Sequence, residues 1–221
     1  MQSVIETQEV KPTNPLLLYI NGREEGFEDY SEADIRVMVF GQETNGWWND
    51  LPKANAFADM EMLIDKYDKA FNDDSMFCKN TPFWNGFDKF RQMLGEKYAG
   101  KKIRYVWNNI VKIGKADEKG CPPDEIYNIE REYFSVIAEE VKIIRPNVIL
   151  FLTGPKYDNK IADNFGELQY SAISPFPEKE LAKLSIPDVD FAFRMYHPNY
   201  LYRSNISIDS FFNSIIQNIT F

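Results

Sequence analysis

The 221-residue sequence holds one histidine and two cysteines, Cys78 and Cys121. Two cysteines make no disulfide framework, neither stands in a metal-ligand spacing, and one histidine leaves no cluster to complete a zinc site. A zinc site is therefore not expected. No apolar run approaches the roughly 18 residues of a membrane-spanning helix. The opening MQSVIETQEVKPTN lacks both the basic and the apolar segment of a secretory signal. Neither a Walker loop nor a G-x-G-x-x-G occurs, and no G-x-S-x-G elbow exists, which removes the usual phosphate cradles and the serine-hydrolase nucleophile. A soluble, reduced, cytoplasmic protein with no membrane contact is the expectation.

Positive charge is also short. The chain has 25 Lys and Arg against 34 Asp and Glu, a net charge of −9, which argues against a generally basic nucleic-acid binder. The deficit is uneven: residues 1–74 carry 16 acids and 6 bases, whereas residues 75–221 carry 18 and 19. Between positions 97 and 116 stand six basic residues (Lys97, Lys101, Lys102, Arg104, Lys112 and Lys115) and no acid. That run reads either as a local positive surface or as a solvated face beside a buried strand.

What is present is the makings of a core. Hydrophobic residues are 44% of the chain and aromatics 15%, enough to fill an interior and line a pocket. The length suits one α/β domain over residues 1–221. Four short apolar runs, 35–40, 103–107, 147–153 and 191–196, read as strands of a mostly buried sheet. Apolar residues at steps of three and four predict helices over 54–71, 83–98, 126–144 and 207–219, the third stopping before Pro146. A further helix is expected over 14–26. Strands alternating with helices predict a three-layer α/β/α sandwich with a central, mostly parallel four-stranded sheet.

Ligands of such sheets sit at the carboxyl ends of the strands. The four predicted ends run into GQETNGWW, NNIVKIG, GPKYDN and HPNYLYR, polar and non-helical in every case. Glu43 in the first loop can orient a water or offset a developing cation, or can cap a turn. His197 in the last is either a hydrogen-bonded structural residue or a catalytic one. Asn108 and Asn109 carry the donors and acceptors that read a nucleobase edge, and are equally common turn residues. Trp47, Trp48, Phe83 and Trp84 can stack on a planar ligand or simply fill core.

Taken in order, these ends resemble the uracil-DNA glycosylase superfamily. GQETN stands in the place of that family's Gly-Gln-Asp-Pro-Tyr loop, YVWNNIV ends a strand where the family has a uracil-reading asparagine, and HPNYL resembles its His-Pro-Ser-Pro-Leu loop. The likeness spans positions 35 to 203. It implies cleavage of the N-glycosidic bond of uracil or a related damaged base in single-stranded or damaged duplex DNA. Glu43 would position water, neutral His197 would hydrogen-bond the base oxygen, Asn108 would pair with the base edge, and the backbone around Gln42 would contact the base. Leu201 would be the apolar wedge behind a flipped nucleotide, and Arg203 would meet a phosphate. The implied mechanism is electrostatic, so it would need no metal and no cofactor. Thr44, Asn45, Asn199 and Tyr200 depart from the family's loops, and Glu43 is one methylene longer than its aspartate. A second expectation keeps the fold and makes the site that of a nucleobase-binding protein or a small-substrate hydrolase.

Overall fold

The computed structural model describes residues 11–20, 23–45, 67, 80–116 and 118–221. The helix expected over 54–71 lies, Tyr67 apart, outside the described residues, as do Trp47, Trp48 and Cys78. The described elements are α1 (Arg23–Ser31), β1 (Ile35–Glu43), α2 (Pro82–Lys97), β2 (Ile103–Val111), α3 (Asp124–Tyr133), α4 (Ile137–Ile144) and β3 (Val148–Phe151). After a short 3-10 turn (Pro155–Tyr157) come α5 (Asp158–Phe165), β4 (Tyr170–Ala172), β5 (Leu181–Leu184), β6 (Phe191–Met195), α6 (Pro198–Arg203) and α7 (Ile208–Gln217).

The fold is α/β, and its sheet is mixed. The strand order is β2-β1-β3-β6-β5-β4; β2, β1, β3 and β6 pair in parallel, and β5 pairs antiparallel with both β6 and β4. All four predicted strands are present and parallel. The expected count of four is corrected to six, because the short segments LAKL and YSA carry too few apolar residues to stand out as runs. Those two strands form a hairpin-like edge whose pairing to β6 supplies what their own sequence does not.

The apolar runs are continuous because both faces of the strands are covered. In β1, Val37 and Val39 face one core and Met38 and Phe40 the other, all with no exposure. The first core is closed by Phe87, Phe90 and Leu94 of α2 and by Phe211, Phe212 and Ile215 of α7. The second is closed by Tyr127 of α3, by Ile137, Val141 and Ile144 of α4 and by Ile161 of α5. Helix α2 begins where its sequence says it should, with Thr81 accepting from the Trp84 N–H and Pro82 in the first turn.

Two helix expectations are corrected. The stripe over 126–144 is two helices, α3 and α4, broken at Phe134–Val136 with Tyr133 left exposed. The apolar periodicity runs on through the break because both helices cover the same core, so the pattern alone reads as one element. The helix expected over 14–26 starts only at Arg23. Upstream, the backbone is engaged elsewhere: Thr13 N–H donates to Gly114 O, Leu16 N–H to Lys112 O, and Ala116 N–H to Lys11 O.

The basic run over 97–116 is taken up by partners of the same chain, at the surface for Lys101 and Arg104 and in the interior for Lys112. Lys97 donates to the Ile216 and Ile219 carbonyls at the end of α7. Lys101 pairs with Asp34, Lys102 with Asp29 and Glu32, Arg104 with Asp29, and Lys115 with Glu118. Lys112 is fully buried, with its ammonium 2.7 Å from Glu140, which also accepts from Asn108 Nδ2 at 2.9 Å. Burial pushes the Lys112 amine below its ordinary range, and the Glu140 carboxylate opposes that shift. Among the described residues no helix is long and apolar enough to cross a membrane.

Removing one partner of such a pair strands a charge in the interior. Glu140→Ala is expected to lower unfolding free energy by about 3–5 kcal/mol, while Lys112→Met combined with Glu140→Leu stays within about 2 kcal/mol of the parent. Urea denaturation of the three proteins checks both values.

Candidate functional site

The chain leaves β1 for β2 on one side and later returns to β3 on its other side, so the strand order reverses between β1 and β3. Crevices open at such a reversal, outside the carboxyl ends of the strands. Here the end of β1 and the residues after β3 are stitched across it. Gln42 Nε2 donates to the Thr153 carbonyl at 2.7 Å, and the Tyr157 hydroxyl donates to Glu43 Oε2.

Glu43 is nearly buried, and both of its oxygens are engaged. Oε2 accepts from Tyr157, and Oε1 accepts from Asn45 Nδ2 at 3.2 Å. The Asn45 oxygen in turn accepts from the Gly120 N–H at 3.0 Å, which draws residues 119–120 to the mouth of the site. Burial and the adjacent carboxylate push the Tyr157 phenol well above its usual range, so it remains a protonated donor at neutral pH.

His197 follows β6 and caps α6. Its Nδ1 accepts from the Asn199 N–H at 3.0 Å. In a neutral imidazole that assignment puts the proton on Nε2, which is then the donor. Burial holds the imidazole down to about 4, so it is uncharged at pH 7. The ring lies 5.9 Å from that of Phe83 with 21° between their planes.

These groups border one cavity of about 730 Å³, whose walls include Gln42, Glu43, Phe83, Asn109, His197 and Arg203. A second chamber of about 550 Å³ lies on the far side of Gln42 and His197, between Lys156, Lys179 and Tyr200. The cavity wall at Gly41 explains why a glycine heads the loop. A Cβ there would stand 2.4 Å from Asn109 Oδ1 and 3.2 Å from the Phe83 ring, so a side chain would displace the Asn109 carboxamide and crowd the ring.

The expected residues divide. Glu43, Gln42, His197 and Arg203 come together at the cavity. Asn108 does not: it points to the opposite face of the sheet, donating to Glu140 and accepting from the Asn109 N–H at 2.9 Å. The asparagine at the cavity is Asn109, 3% exposed, whose Nδ2 makes a 3.4 Å bond to Thr44 Oγ1. Leu201 is 1% exposed and belongs to the first core, so the apolar residues that project from α6 are its neighbours Tyr200 and Tyr202.

Asn109 was a candidate beside Asn108 whose facing stayed open, and Tyr157 was not legible in advance. Asn109 differs from Asn108 only by strand parity, and the sequence fixes no phase for a doubly buried strand. Tyr157 stands 114 positions from Glu43 and meets it only through the parallel pairing of β1 and β3. Among the described residues, no group of three or more His, Cys, Asp or Glu side chains is arranged to hold a metal ion.

The His197 environment has a measurable consequence. An unfolded histidine titrates near 6.5, so between about 6.5 and 4 the unfolded chain binds a proton that the folded chain refuses. The stabilisation is intact above that window and lost as pH falls through it, by up to about 3 kcal/mol. Unfolding free energies from urea titrations at pH 7 and 4.5 are expected to show this loss, and His197→Gln to remove most of it. The sequence matches no protein-family model and no curated protein, so the chemistry of this site is read from its geometry.

Proposed function

We propose that this protein is an N-glycosylase that removes uracil or a related damaged base from DNA in the cytoplasm, on a uracil-DNA glycosylase-like arrangement of β2, β1, β3 and β6. The observation that carries the reading is the meeting, in one cavity, of a nearly buried carboxylate, a neutral histidine with Nε2–H to donate, and a carboxamide. A glycosidic bond breaks with its electron pair leaving on the base, so positive charge grows on the sugar and negative charge on the base oxygen. Glu43 suits the first: its carboxylate offsets the cation, holds a water against the anomeric carbon and takes the proton that water loses. His197 suits the second, since an uncharged donor stabilises the leaving base without giving up its proton. Asn109 takes the base-edge role expected of Asn108, and Phe83 offers the flipped base a ring to lie against. Arg203 meets a phosphate at the mouth.

A second reading, a nucleobase-binding protein or small-substrate hydrolase, is favoured by the pairing of the basic run over 97–116 with acids of the same chain. Salt separates the two, because binding through several phosphates weakens steeply with ionic strength and binding of a neutral base does not.

Purified protein is expected to release free base from a uracil-containing or lesion-bearing oligonucleotide in a panel assay. His197→Ala and Glu43→Gln should each lower single-turnover rates by about 100-fold or more. Intact oligonucleotides across the whole panel, with no binding to any of them, would contradict the reading.

A further inference from the structure

The carboxylate assigned to water has one more torsion than an aspartate in the same place, and a free glutamate head would sweep a wide arc. The structure removes that freedom from two directions. Tyr157 reaches Oε2 from the turn after β3, and Asn45 reaches Oε1 from the loop after β1. Tyr157 is itself fixed: it is 7% exposed and packs in the second core beside Ile161 and Phe151. A carboxylate has about four lone-pair directions, so two donors leave acceptor capacity for a water while setting the plane of the group.

We propose that Tyr157 is a positioning residue for the reaction, holding the Glu43 carboxylate in the one orientation that aims a water into the cavity. The proposal rests on the glycosylase reading of the same cavity. The phenol touches neither base nor sugar; it lines none of the cavity walls and acts only through Glu43. It stays a hydrogen-bond donor at working pH because its proton is held by burial and by the carboxylate next to it. Its contribution belongs to attack geometry, where a displacement of about 1 Å is worth on the order of 100-fold in rate.

The test is a double-mutant cycle on single-turnover base release, with Tyr157→Phe, Glu43→Gln and the double variant. Tyr157→Phe keeps the ring in its core and removes only the hydroxyl. The rate constant at saturation is expected to fall about 10- to 100-fold, with the half-saturating substrate concentration within about twofold of the parent. In the Glu43→Gln background the same substitution is expected to change nothing further, since the group it orients is already gone. An NMR spectrum of the parent should also show a slowly exchanging hydroxyl proton that disappears in Tyr157→Phe and shifts in Glu43→Gln. An unchanged rate in Tyr157→Phe, or an equal fractional loss in both backgrounds, overturns the positioning role while leaving the glycosylase reading in place. A parent protein that releases no base at all overturns that reading, and this inference with it.

Discussion

The contacts across the gap between the ends of β1 and β3 organise the rest of the molecule. Strand β1 is paired along its whole length with β2, from Ile35 opposite Ile103 to Glu43 opposite Val111, but with β3 only from Val37 to Phe40. Beyond Phe40, β1 continues and β3 does not. The backbone edge that this leaves is satisfied by the Leu152 N–H on the Phe40 carbonyl and by Gln42 on the Thr153 carbonyl. Polar side chains are thereby admitted just beyond the apolar run Val37–Phe40 of β1. Each buried polar group there needs a partner, since leaving one unpaired costs on the order of 1–3 kcal/mol. Glu43, Asn45, Tyr157 and Asn109 meet that requirement largely from one another and from nearby loops.

The same logic extends to the outer side of β2. The Lys112 carbonyl accepts both the Leu16 N–H and the Thr44 hydroxyl, so one backbone position ties the N-terminal segment, the loop after β1 and the end of β2 together. Its side chain goes the other way, into the ion pair with Glu140 that also holds Asn108. Nearby, Glu130 accepts from the Ile113 N–H at 2.7 Å, and burial lifts its carboxyl to about 7. The cavity wall on this side is thus anchored by buried charge, and Asn108 serves that anchor.

Much of this was legible in the sequence. The four parallel strands were visible because runs buried on both faces are continuous and apolar, and residues from the polar ends of β1, β2 and β6 line the candidate cavity. Helix α2 declared its start through Thr81 and Pro82. Three things were hidden, each for a physical reason. The edge strands β4 and β5 are short and take their order from β6. The break between α3 and α4 leaves the apolar period intact because both helices cover one core. The choice between Asn108 and Asn109, and the burial of Leu201, depend on strand phase and helix rotation, which single positions in a motif do not carry.

The proposed function depends on where a base lies. A crystal structure of Glu43→Gln with a uracil-containing single-stranded oligonucleotide tests it most directly. The base is predicted in the cavity of about 730 Å³, its face against Phe83, its edge on the Asn109 carboxamide and an oxygen on His197 Nε2. A base seated instead in the chamber beside Lys156 and Lys179, or turned away from both Asn109 and His197, would contradict it.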